Sequence, residues 1–193
     1  MKTVFTPNAT SKLIVEDTVK LIKKKIDALD LGCGEGYIGL NIYKKQKKNI
    51  KSFSFSDLSK KATKKCKRNL TKEKLKAIVK NGSMFGPWKN KKFDLIVESV
   101  SAISEPVANK SSWYNKNIPC HAGIDGTKLV NKILLKAKNY LKKDGKIIFP
   151  IVSFSKKEKI INLAKKNYKK VKLLSLKDWP LPKTMYKYEK EFE

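Results

Sequence analysis

Arginine is almost missing from this chain: of 45 basic residues, only Arg68 is not a lysine. Dedicated nucleic-acid readers rely on arginine's planar, bidentate fork, so the basic surface lacks their usual tool. Cysteine is scarce and odd in number, with Cys33, Cys66 and Cys120 scattered along the chain. That suits reduced thiols in a cytoplasm better than a disulfide framework and carries no metal-ligand spacing. Long apolar runs are also missing: nothing approaches the roughly 18 residues of a membrane span. The opening Met1-Lys2-Thr3-Val4-Phe5-Thr6-Pro7 lacks the apolar core of a signal peptide. Neither a membrane partner nor a bound metal is expected.

Acid is in short supply as well, with 17 carboxylates against 45 basic groups and a net charge of +28. Two readings of that imbalance stay open. A positive surface attracts phosphate-rich partners in a salt-sensitive way. Lysines spread over Lys23–Lys25, Lys44–Lys48, Lys60–Lys65, Lys156–Lys159 and Lys165–Lys170 equally fit a compositional bias painted on solvated helix faces.

At 193 residues the chain fits one domain, residues 1–193, with an N-terminal segment and helix over 1–25 and a core over 26–193. Apolar periodicity predicts a helix over Ser11–Lys25, capped by Thr10 or Ser11, then a strand over Ile26–Leu31 and a helix over Gly39–Lys45. Period-two alternation in "IKSFSFSD" marks a strand. A helix over Ser59–Leu70, a weak strand over Lys76–Lys80, a loop "NGSMFGPW" and a strand over Phe93–Val97 follow. Beyond an irregular stretch at 98–124, a helix over Gly126–Leu141 turns at Asp144-Gly145 into a strand over Lys146–Ile151. A helix over Lys156–Asn167 and strands over Val171–Leu176 and Thr184–Phe192 complete the pattern. Alternating strands and helices argue for an α/β fold with a mostly parallel sheet covered on both faces.

The most informative piece is "IDALDLGCGEGYIGL". Gly32, Gly34 and Gly36 let the backbone pass within contact of a ligand lying over the strand ends, where open α/β sheets bind their ligands. The spacing is G-x-G-x-G, not the G-x-G-x-x-G that seats a pyrophosphate, and Asp30 precedes it. Such a turn suits a ligand with an amino group and no phosphate. Asp57 ends the next strand about twenty residues beyond the turn, where a carboxylate accepts ribose hydroxyls. The two features point to one adenosine-containing ligand.

These residues resemble the first motif of the class I S-adenosylmethionine-dependent methyltransferases, an acid followed by G-x-G-x-G. The resemblance covers residues 4–152 and implies a Rossmann-like, seven-stranded sheet whose last strand is antiparallel. It implies S-adenosylmethionine as cofactor, its methionine end held by Asp30 and the turn Gly32-Cys33-Gly34 with Gly36. Asp57 would hold the ribose and Leu58 would pack on the adenine. Where the family often has an aspartate after the third strand, Ser83 with Met84 stands here. Within the class the chain is most similar to small-domain methyltransferases related to release-factor glutamine and ribosomal RNA guanine methyltransferases. "VFTP" matches their start, which places Phe5 and Thr6 by the cofactor, and Gly123, Asp125 and Gly126 match their glycine-aspartate loop. Asp125 also reads as a plain helix cap.

In those relatives "FDLIV" is followed by an Asn-Pro-Pro-aromatic motif that clamps a planar nitrogen. Ser99-Val100-Ser101-Ala102 replaces it, so that clamp is absent. Glu98, at the carboxyl end of the strand, can take a proton from a nucleophile, hold a cationic amine or stabilise the sulfonium side. Ser99 keeps hydrogen-bonding capacity, and Glu105 reads as lining the same mouth or as a plain loop glutamate. His121 reads as a surface residue or a base. Trp113, Tyr114 and Trp179 read as packing or as stacking partners for a flat substrate. Three functional readings follow: a methyltransferase acting on RNA or a ribosomal component, one acting on a small metabolite, and a non-catalytic module that keeps the cofactor fold.

Overall fold

The computed structural model of the chain describes Val4 and residues 6–111, 113–115, 118, 120–180, 183 and 185–186. The chain packs as two compact units, one of residues 3–100 with 136–150 and the other of residues 101–135 with 151–193.

The first unit is built on a parallel sheet. Its strands are β1 (Ile26–Leu31), β2 (Ile50–Asp57), β3 (Ile78–Asn81), β4 (Phe93–Glu98) and β5 (Leu141–Ile148), in spatial order β3-β2-β1-β4-β5. The central strands are buried on both faces, as the near-continuous apolar runs of β1 and β4 require, and Phe53 and Phe55 of β2 stack within the core. Helix α1 (Ala9–Leu21) packs on α2 (Tyr37–Lys45), and α3 (Lys60–Lys72) packs on β2 and β3. Strand order reverses between β1 and β4, and the register pairs Leu31 with Glu98. The carboxyl ends of these two strands therefore open the crevice where such sheets take ligands. At the opposite ends Lys142 Nζ lies 2.7 Å from both Asp27 and Asp94, and Asp27 N donates to Asp94 at 2.8 Å. That knot ties β1, β4 and β5 together.

The second unit contains α4 (Glu105–Lys110), most of α5 (Lys128–Ala137) and α6 (Lys157–Asn167). A small core of Ile103, Val107, Ala108 and Met185 is flanked by Trp113, Tyr114 and Phe154.

The expected seven-stranded sheet with an antiparallel last strand is corrected: five strands are present among the described residues, and the last, β5, runs parallel to β4. Val171–Leu176 forms no strand. Its apolar residues have no neighbouring strand to complete a ladder, and Leu173 and Leu176 stay exposed. Of the expected strand Thr184–Phe192 only Met185 and Tyr186 are described, in a 3-10 turn; the rest lies outside the described residues. The first helix starts earlier than expected because Asn8, not Thr10 or Ser11, caps it, in a reciprocal box with Ser11. Strand β5 also starts earlier than Lys146. It absorbs Asp144-Gly145 as an irregularity between the pairs Phe93–Leu141 and Leu95–Lys146.

Candidate functional site

The glycine turn between β1 and α2 is pinned from below. Gly32 N and Cys33 N both donate to Ser56 O, at 2.8 and 3.0 Å, so β2 fixes the height at which the turn leaves the sheet. Gly32, Gly34 and Gly36 have φ of 73°, 54° and 90°, a left-handed run that side chains rarely tolerate. A Cβ at Gly32 would also meet Val100 Cγ1 at 2.7 Å. At Gly34 the nearest side-chain atom to such a Cβ is Val4 Cγ1, at 3.8 Å, so the N-terminal segment passes beside the turn. Thr6 is exposed, and Phe5 lies outside the described residues.

Asp30 sits beneath the turn rather than on its surface. It is 1% exposed and accepts a bond from Gly39 N at 2.8 Å. Burial, reinforced by the nearby Asp57 charge, pushes its carboxyl up to about 7 despite that bond. Gly39 makes this possible, because a Cβ there would collide with the Phe55 ring and the Asp30 carboxylate. The sequence reading used Gly39 only as a helix start; its place three residues after Gly36 was the available signal. Cys33 is buried against Cys66, whose thiol, together with burial, holds Cys33 well above the ordinary thiol range. The backbone of Cys33 therefore shapes the turn while its side chain serves the core.

Asp57 closes the turn from the other side. One carboxylate oxygen accepts from Gly34 N at 2.9 Å and the other from Ser59 N at 2.8 Å, and the group remains half-buried with lone pairs free on both oxygens. Asn81 Nδ2 donates to Asp57 O and Leu58 O, and Gly82 N also donates to Asp57 O, so the end of β3 steadies the end of β2. Leu58 is held there with 68% of its surface exposed, an apolar face beside a carboxylate. Asn81 and Ser56 were not singled out from the sequence, since both act through bonds that only the sheet order creates. In the next loop Ser83 is exposed, and Met84 takes a positive φ of 47°.

Glu98 is the unusual member. Its side chain is 1% exposed, Oε2 accepts from Val100 N at 3.0 Å, and Oε1 is buried with no hydrogen-bond partner. Burial pushes the carboxyl up to about 8, only partly opposed by the Val100 bond, so it carries a proton through much of the neutral range. An orphaned buried carboxyl oxygen costs on the order of 1–3 kcal/mol. Ser99 is half-buried.

The first unit thus brings together Asp30, the turn, Asp57, Leu58 and Glu98. Glu105 belongs to the second unit, where its Oε1 accepts from Gly123 N at 2.9 Å. Asp125 there accepts from Thr127 and pairs with Lys159 at 2.7 Å, which holds its carboxyl down at about 2. His121 is exposed, Trp113 tilts on Phe154 at 6.2 Å, and Trp179 is exposed.

Residues 6–100 match the family model described as methyltransferase small domain. That match makes the segment similar to the methyltransferase small domain over about half of the chain. A bifunctional methyltransferase from Rickettsia typhi is 32% identical over 162 residues, an alignment covering 81% of this chain and 30% of the relative. The chain thus spans about a third of that relative's length. Among solved structures, a ribosomal protein L11 methylase from Lactobacillus delbrueckii subsp. bulgaricus superposes with a TM-score of 0.63 at 18% identity. That match covers 83% of this chain and 69% of the other. A 16S rRNA methyltransferase from T. thermophilus, solved with AdoMet and guanosine, gives a TM-score of 0.66 at 16% identity and covers 90% and 43%. The chain therefore shares the fold of these two structures, and its glycine turn and Asp57 stand at the switch point of the sheet.

Proposed function

We propose that the chain is an S-adenosylmethionine-dependent methyltransferase whose acceptor is RNA or a ribosome-associated component. The observation that carries the cofactor is the pairing of a three-glycine left-handed turn with Asp57, whose two oxygens keep free lone pairs at the switch point. The residues fit the group: the turn leaves room where side chains would intrude, Asp57 suits two vicinal hydroxyls, and Leu58 offers a flat ring an apolar face. Phe5, Thr6, Ser83 and Met84 are proposed as outer contacts.

The bound cofactor would supply an electrophilic methyl group, whose displacement needs alignment more than acid-base chemistry. The chain's own contribution is positioning. Asp30 holds α2 against the turn through Gly39, and Asp57 locks Gly34. Glu98 is proposed as the group that receives or donates a proton at the acceptor, with Ser99 beside it; its unpartnered Oε1 is the atom available for that bond. Glu105 is assigned a lesser role, since it already serves Gly123.

The RNA or ribosomal acceptor rests on the net charge of +28 and on the names of two fold neighbours, one acting on 16S rRNA and one on a ribosomal protein. A small metabolite is the second reading, favoured by Ser99-Val100-Ser101-Ala102 standing in place of a planar-nitrogen clamp. No described helix is long and apolar enough to cross a membrane, and the three cysteines are free, which supports a cytoplasmic setting. Calorimetric titration with S-adenosylmethionine tests the cofactor assignment. Binding that Asp57→Ala abolishes is expected, and absence of binding by the unaltered protein overturns the proposal.

A further inference from the structure

Lysine is not spread evenly over the helices, and the imbalance peaks on α3. Seven of its 13 residues are basic and none is acidic. Its buried side is Ala62, Thr63, Cys66 and Leu70. Lys60, Lys61, Lys64, Lys65, Lys67, Arg68 and Lys72 are all exposed, so the solvent half of the helix is basic except for Thr71. Helix α1, by contrast, carries two lysines against Glu16 and Asp17. A general lysine bias does not produce a neutral helix and a wholly basic one in the same unit.

The arrangement works against the helix itself. Lys60, Lys64, Arg68 and Lys72 form one stripe at successive i,i+4 positions, where like charges repel, and Lys60 and Lys61 place positive charge at the helix start. Among the described residues, Lys65 with Glu35 is the sole ion pair that relieves it. The stripe steps by roughly 6 Å along the axis, and α3 begins three residues after Asp57, the proposed ribose-side carboxylate. Beside it, Lys67 and Lys76 flank an open groove of about 410 Å³ lined by Leu70, Leu75 and Val79.

From this geometry we infer that the outer face of α3 is a docking surface for the phosphate backbone of RNA. The inference rests on the RNA reading of the acceptor and adds the surface that holds it. A regular row of point charges suits a regularly charged polymer, and lysine ammonium groups position a backbone without reading its sequence. An anionic membrane is disfavoured because the exposed face has no apolar residue to insert. The groove, of mixed polar and apolar lining, gives an unpaired base a place to lie, so a single strand is the preferred partner.

The test compares the full chain with two quadruple variants. One carries Lys60→Gln, Lys64→Gln, Arg68→Gln and Lys72→Gln; the control carries Lys156→Gln, Lys157→Gln, Lys165→Gln and Lys166→Gln around α6. Anisotropy with a labelled unstructured RNA of about 16 nucleotides is read across about 50–200 mM salt. The α3 variant should lose about tenfold or more in affinity at the low-salt end, and its log-log salt slope should shrink by about 3. The control should stay within about twofold. Glutamine is a good helix former and the change relieves repulsion, so thermal stability of the α3 variant should hold or rise. Equal losses in both variants, or no loss in the α3 variant, overturn the proposal. Equally tight, α3-dependent binding to phosphatidylserine vesicles overturns it in favour of a general anionic surface. Transfer of labelled methyl is scored separately. If RNA binding depends on α3 but no methyl reaches RNA, the surface stands and the acceptor reading falls; methyl transfer indifferent to α3 gives the reverse.

Discussion

In the proposed mechanism Glu98 carries the chemistry of the site in one side chain. Glu98→Gln keeps the shape and the bond from Val100 N but removes the titrating proton. We expect cofactor affinity within about twofold of the unaltered protein and turnover lower by about a hundredfold, the range of a lost general acid or base. Unchanged turnover in a steady-state methyl-transfer assay would assign Glu98 to the fold alone. The same residue predicts a pH effect. Its carboxyl and that of Asp30 are raised in the folded state, to about 8 and about 7. Their stabilising protonation is complete below about pH 4 and is lost as pH rises through those values. Chemical denaturation should show stability falling from about pH 5 to 8, with a shallower decline in Glu98→Gln; a flat or rising profile would contradict the burial argument. Sequence spacing made the turn at Gly32, Gly34 and Gly36 and its neighbour Asp57 legible as geometry, because such a turn is written in local order. The burial of Asp30 and the orphaned Oε1 of Glu98 were not legible, since both depend on what β2, β4 and α2 place around them.

At the scale of elements, close approach of α2 to the sheet is the feature that positions the turn. Gly39→Ala would push a methyl into Phe55 and Asp30, and a loss of about 1–3 kcal/mol in denaturant unfolding is expected from overpacking. Cofactor affinity should fall with it, because Asp30 would lose its bond to Gly39 N. A neutral substitution would show that α2 can shift without disturbing the turn. Element reading from sequence succeeded where pattern and ladder agree, as in β1 over Ile26–Leu31 and β2 over Ile50–Asp57. It overread Val171–Leu176, where apolar residues had no strand to pair with, and missed α4, whose six residues are too few for a helical period to emerge.

Across the whole molecule, a charge of +28 sets the chain against itself. Screening should relieve that repulsion, so the melting temperature should rise when sodium chloride is taken from about 10 to 150 mM, where the Debye length contracts from about 30 to 8 Å. A melting temperature that falls with salt would mean that local ion pairs, not net repulsion, dominate. The proposal that this charge serves an RNA or ribosomal acceptor is open to one direct measurement. The protein is incubated with S-adenosylmethionine carrying a labelled methyl group and with extract of its own cells, and the RNA, protein and metabolite fractions are then separated. Label in the RNA or ribosomal fraction, lost with Asp57→Ala, is the predicted result; label in the metabolite fraction alone, or in none, would contradict it.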